Sequence, residues 1–133
     1  MVASPTLSRE AKSLSGRRIL VVEDEYFLAD DIGRALRSLG ADVAGPVGHI
    51  DDALRIVDDG GVLDGAVLDV NVGDEMIYPT AQRLMARGVP TLFASGYDKM
   101  TLGPEFRDAL FFAKPLDIAA MIRGLAGLIG DKA

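Results

Sequence analysis

Short apolar runs alternate with amphipathic stretches along most of the chain. The run Arg18-Ile19-Leu20-Val21-Val22 is apolar without alternation, as a strand covered on both faces should be. From Glu25 to Leu39 the apolar positions Phe27, Leu28, Ile32, Ala35, Leu36 and Leu39 recur at three- and four-residue spacing, which predicts a helix capped by Gly40. A second strand is expected over Asp42 to Ala44, closed by Gly45-Pro46. The following helix should run from Ile50 to Val57, with Ala53, Leu54 and Val57 inward and Gly60-Gly61 ending it. Gly65 to Asp69 reads as strand three, and Val70 to Glu75 as a loop. A third helix spans Ile77 to Arg87, with Pro79 in its first turn, where a proline costs no hydrogen bond. Strand four is Val89 to Ala94, followed by the turn Ser95 to Asp98 and a weakly patterned stretch from Lys99 to Asp108. Strand five is Ala109 to Ala113. The last helix runs from Asp117 to Ile129, with Ile118, Met121, Ile122, Leu125 and Leu128 inward.

Strands separated by helices imply right-handed crossovers and a parallel sheet, an α/β domain. The length of 133 residues suits one domain. Residues 1–16 are polar and Ser-rich and read as a flexible leader, with a short capping helix as the alternative; 17–130 form the domain. No repeat, linker or second domain is visible. The chain ends after the last helix, so no DNA-binding or enzymatic effector is expected.

Charge narrows the partners. The formal net charge is -6, and there is no basic run, so nucleic acid is not an expected ligand. No apolar run reaches membrane-spanning length, and no apolar segment near the N-terminus makes a secretory signal. Without cysteine, the chain can have no disulfide, zinc–thiolate site or thiol nucleophile. A cytoplasmic location fits.

The candidate chemistry lies at the carboxyl ends of the strands, where open parallel sheets bind ligands. Strand one ends in Glu23-Asp24-Glu25, strand three in Asp69, strand four in Ser95 and strand five in Lys114-Pro115. Carboxylates brought together repel one another unless a cation joins them. Mg²⁺ suits such a set, with hard oxygen ligands and commonly a phosphate as co-ligand. Asp24 and Asp69 are placed to hold it, and Asp69 to attack phosphorus and form an acyl phosphate. Lys114 adds fixed positive charge and Ser95 a hydroxyl donor, which are the positioning and charge stabilisation that phosphoryl transfer needs.

The segments VVEDE, AVLDVNV, LFASGYD and FFAKP, in this order and spacing, resemble the receiver domain of two-component response regulators over about Arg17 to Ile129. The resemblance implies a doubly wound, flavodoxin-like five-stranded parallel sheet, strand order 2-1-3-4-5, with helices on both faces. It implies a single-domain response regulator that accepts a phosphoryl group from a sensor histidine kinase or phosphotransferase onto Asp69. Mg²⁺ would be held by Asp24, Asp69 and the backbone carbonyl of Asn71, with Glu23 acting directly or through a water. Ser95 and Lys114 would hold the phosphoryl oxygens, and Phe111 takes the place of the aromatic switch residue. Such a protein is a stoichiometric phosphoacceptor that catalyses its own phosphorylation and dephosphorylation, not an enzyme with a separate substrate. It signals to a protein target that the sequence does not name, or serves as a phosphate sink. LFASGYD also resembles the FATGUY subgroup of single-domain receivers, often associated with alphaproteobacterial stress and light signalling; here Ser95 stands for the usual Thr, and Gly96 loosens the turn.

Other readings are weaker. Glu25 alone would favour the positive end of the next helix. Ser95 alone would be a turn former, and Lys114 alone a solvated loop lysine. His49, the only histidine, has no partner in sequence and reads as a loop residue, and Tyr97 as a surface aromatic. Of Phe111 and Phe112, which alternate along a strand, one is expected in the core. A haloacid-dehalogenase-type phosphatase would need a second aspartate where Asn71 stands. A flavin or nucleotide binder would need a phosphate-cradling loop where Glu23-Asp24-Glu25 would repel phosphate. An unphosphorylated interaction module of the same fold is the remaining alternative.

Overall fold

The computed structural model of the protein describes residues 9–73, 75–96, 104–106 and 109–130. Its sheet has the order β2 (Asp42–Val47), β1 (Arg18–Val22), β3 (Gly65–Asp69), β6 (Thr91–Ser95) and β7 (Leu110–Ala113), and all neighbours are parallel. Counting these five strands along the chain gives 2-1-3-4-5, the expected flavodoxin-like order. The remaining two strands, β4 (Asn71–Val72) and β5 (Glu75–Met76), pair with each other as a small antiparallel hairpin.

The uninterrupted apolar strands feed two cores, because successive side chains point to opposite faces. Leu20, Val22, Ala66, Leu68 and Phe93 face one core, which α3 (Ile50–Asp58) and α4 (Tyr78–Ala86) cover with Ala53, Val57, Ala81 and Leu84. Ile19, Val21, Val67 and Leu92 face the other. There α2 (Tyr26–Ser38) and α5 (Ile118–Ile129) contribute Ile32, Leu36, Met121 and Leu125. Gly40, at φ +87, closes α2 as predicted: its N–H donates to Arg37 O, and the Ala41 N–H reaches back to Leu36 O.

Several expectations need correction. Residues Arg9–Leu14 of the expected leader form a helix, α1, with Leu14 fully buried against α2 and α5 residues of the second core. Ala11 and Leu14, three apart, share one helix face, so even six residues have an apolar side to bury. Strand two does not stop at Gly45-Pro46 but runs to Val47. It is an edge strand, where a proline removes no needed donor, and its register with β1 shifts there. Gly45 suits that irregularity: φ is +104, and a Cβ would lie 2.7 Å from the Val47 nitrogen. The loop after Asp69 contains the β4–β5 hairpin. On α5 the inward stripe takes Ile129, whose Cδ1 lies 2.9 Å from where a Gly65 Cβ would be, and leaves Leu128 exposed. Phe27 is exposed as well.

Within the weakly patterned stretch 99–108, Pro104–Phe106 makes one turn of 3₁₀ helix. Phe106 is buried there between Tyr78 and Phe93, with ring centroids at 5.3 and 5.4 Å. Residues 1–8 of the leader, Tyr97 and the stretch 97–103 lie outside the described residues. No helix among the described residues is long and apolar enough to cross a membrane.

Candidate functional site

The ends of β1, β3, β6 and β7 bring five of the predicted side chains to one rim of the sheet. Pairing of β1 with β3 sets Val22 beside Leu68, so Glu23 and Asp69 each continue a buried strand by one residue. Both carboxylates are buried, Glu23 at 3 % and Asp69 at 4 % exposure. Asp24 faces solvent, and its Oδ2 accepts the Gly73 N–H at 2.7 Å, which ties the hairpin loop to the rim. One carboxylate oxygen from each of Glu23, Asp24 and Asp69 lies within 4.8 Å of the others.

Lys114 enters this group from the end of β7. Its Nζ donates to Glu23 Oε2 at 3.0 Å, to Asp69 Oδ2 at 3.2 Å, and to Glu25 Oε2. Two backbone amides also donate into this group: the Glu25 N–H to Glu23 Oε2 at 3.0 Å and the Asn71 N–H to Asp69 Oδ1 at 3.3 Å. Asn71 is therefore held at the site through its N–H, two residues beyond the acceptor. Sequence reasoning missed the Glu25–Lys114 pair and the Gly73 amide. Glu25 is the N-terminal cap position of α2, yet its side chain makes no cap hydrogen bond and turns to Lys114 instead.

Burial sets the electrostatics. It pushes the Glu23 carboxyl from 4.5 up to about 7, against the Glu25 amide, and the negative Asp69 adds to the rise. Burial also raises Asp69, with Lys114 and the Asn71 amide opposing. For Lys114 burial works the other way, but the hydrogen bonds it donates to Glu25 and Glu23, with the charges of Glu23 and Asp69, outweigh it and hold the ammonium above its ordinary value. The site is thus a buried acidic pocket whose charge one internal cation only partly offsets.

Ser95 ends β6, fully buried, with its carbonyl accepting the Lys114 N–H at 2.9 Å. It lies one residue past Ala94, the register partner of Asp69. Phe111 pairs with Phe93, two residues before Ser95, and packs against the α3–α4 core. Phe112 packs against the opposite core. Both rings are only partly buried, because β7 is an edge strand, and each packs against one of the two cores. His49 caps α3 without a side-chain hydrogen bond and is exposed, which fits a loop residue.

The donor set fits a divalent ion. Mg–O bonds of about 2.1 Å allow ligand oxygens up to about 4.2 Å apart, so small side-chain shifts would bring the three carboxylates onto one ion. All three are hard oxygen donors, the type that Mg²⁺ and Ca²⁺ prefer.

No protein-family model matches the chain, and no curated protein does. Solved structures do. SdrG from Sphingomonas melonis Fr1 is 36 % identical over 89 % of this chain and 98 % of its own, with a TM-score of 0.73. The receiver domain from the hybrid histidine kinase CckA is 27 % identical over 85 % and 99 %, with a TM-score of 0.68. A response regulator protein from Burkholderia pseudomallei, solved with a phosphorylated aspartic acid, a calcium ion and citrate, is 19 % identical over 82 % and 66 %, with a TM-score of 0.70. With the strand order and the acidic pocket at the strand ends, this likeness makes the chain a member of the receiver-domain family of response regulators.

Proposed function

We propose that the protein is a phosphoacceptor: Asp69 takes a phosphoryl group from the phosphohistidine of a sensor kinase or phosphotransferase, in a Mg²⁺-dependent reaction. The observation that carries this is a buried aspartate at a strand end, within hydrogen-bond reach of Lys114 and within 4.8 Å of two further carboxylates. An Asp69 oxygen forms the new O–P bond as the P–N bond of the donor breaks, and the freed imidazole takes a proton from water. Lys114 donates to a phosphoryl oxygen, and Ser95, at the end of the adjoining strand, supplies a second donor. Asp24, Asp69 and the Asn71 carbonyl would hold the ion, with Glu23 beside them. The bound ion would offset the negative charge of the incoming group. The Burkholderia protein carries a phosphorylated aspartate and a calcium ion, which supports both halves of this reading.

On this reading the chain is a stoichiometric acceptor, not an enzyme with a separate substrate. Its output is contact with a protein target, or the draining of phosphoryl groups from a shared kinase. The LFASGYD segment supports a place beside the FATGUY subgroup. Incubation with acetyl phosphate and Mg²⁺ should add one phosphoryl mass to the wild type and none in EDTA. Equal labelling of Asp69→Asn would overturn the assignment.

A further inference from the structure

An ammonium has three N–H donors, and Lys114 spends all three on carboxylates: Glu23, Asp69 and Glu25. The partners differ in burial. The side chains of Glu23 and Asp69 are 2 % and 5 % exposed, whereas that of Glu25 is 60 % exposed. A phosphoryl group on Asp69 carries more negative charge than the carboxylate it replaces, so it draws the Lys114 ammonium toward its own oxygens and away from the other two carboxylates. Releasing Glu23 would leave a buried carboxylate without its cation or force it to take up a proton, and either is costly. Releasing Glu25 only returns a carboxylate to water. The N–H on Asp69 passes to the phosphoryl group itself, because forming the O–P bond moves the aspartate's charge onto the phosphoryl oxygens.

We propose that Glu25 is a positioning residue that holds Lys114 in the unphosphorylated protein and gives it up to the phosphoryl group, so that it competes with phosphorylation. This rests on the phosphoacceptor reading of Asp69. The reach of Glu25 is fixed by its backbone. It sits at the junction of β1 and α2 with φ -82° and ψ 109°, and its N–H is anchored on Glu23 Oε2 at 3.0 Å. From that pinned position a glutamate meets Lys114, and an aspartate, one methylene shorter, falls short while keeping the charge.

The length dependence supplies the test. Beryllofluoride, a phosphoryl mimic, is titrated with Mg²⁺ into wild type, Glu25→Gln and Glu25→Asp, and affinity is read by calorimetry. An exposed ion pair is worth little, so both variants should bind about two- to fivefold more tightly than wild type. A merely structural role would weaken binding or leave it unchanged. Tightening in Glu25→Gln alone would show that net charge near the site, not the pair with Lys114, sets the affinity, and would overturn the proposal. Unchanged affinity in both variants would overturn it too. If wild type binds no beryllofluoride at all, the phosphoacceptor reading itself fails and this proposal falls with it.

Discussion

Lys114 Nζ lies 3.0 Å from Glu23 Oε2 and 3.2 Å from Asp69 Oδ2, so a single ammonium holds together two buried carboxylates from two strands. Removing it leaves both carboxylates buried without a cation, each with one backbone amide still donating to it. Lys114→Met should therefore destabilise the protein in EDTA by roughly 2–4 kcal/mol at neutral pH, toward the low side of what breaking a buried ion pair costs, because the raised Glu23 carboxyl can take up a proton instead. Urea denaturation measures this, and Mg²⁺ should restore much of the loss by taking the cation's place. A variant as stable as wild type would show that the pocket tolerates unpaired carboxylates.

The raised Glu23 carboxyl gives the metal-free protein a characteristic pH dependence. Between its ordinary 4.5 and about 7, the folded chain keeps a proton that the unfolded chain has released. The folded state then binds more protons, so this contribution to stability is present at low pH and is lost as pH rises through that window. Measured against Glu23→Gln, wild type in EDTA should lose roughly 1–3 kcal/mol between pH 4.5 and 7.5. A flat difference across that range would contradict the burial argument.

Much of this site was legible in the sequence because strand ends are marked by abrupt changes of residue type. Val22 to Glu23 and Leu68 to Asp69 each switch from apolar to acidic at the same height of the sheet, and the β1–β3 register confirms that height. What stayed hidden is short or non-periodic. The two-residue strands β4 and β5 and the six-residue α1 are too brief for a period to show. Phe106 is one apolar residue in a segment without pattern, and only its stacking on Tyr78 and Phe93 makes it core. Glu25 was ambiguous for another reason: one position can serve a helix terminus or a neighbouring lysine, and only the fold decides.

Asp24 separates metal binding from stability. It is exposed, and its structural task is to accept the Gly73 amide, which an asparagine oxygen can also do. Asp24→Asn should change stability in EDTA by less than about 1 kcal/mol, as for most exposed substitutions. The rise in melting temperature on adding millimolar Mg²⁺ should be largely lost, because that rise depends on binding to the folded state. An undiminished Mg²⁺-induced shift would remove Asp24 from the ligand set.

Ser95 and Phe111 test whether phosphorylation at Asp69 is coupled to a conformational change. They lie on neighbouring strands, and the register runs from Phe93–Phe111 to Ser95–Ala113. A phosphoryl group that gains the Ser95 hydroxyl only in one conformation can bias the two states by that difference, ~1–3 kcal/mol in typical allostery. Ser95→Ala should remain phosphorylatable at Asp69, while amide shifts at Phe111 on adding beryllofluoride shrink well below those of wild type. Full shifts at Phe111 in the variant would route the coupling elsewhere.

The central claim is that Asp69 is the phosphorylated residue. An acyl phosphate is reduced by borohydride to the corresponding alcohol, which converts a phosphorylated aspartate to homoserine. After treatment with acetyl phosphate and Mg²⁺, then borohydride and proteolysis, mass spectrometry should find homoserine at position 69 and at no other carboxylate. Homoserine at position 24, or an unreduced aspartate at 69 in a chain that had gained phosphoryl mass, would contradict the account.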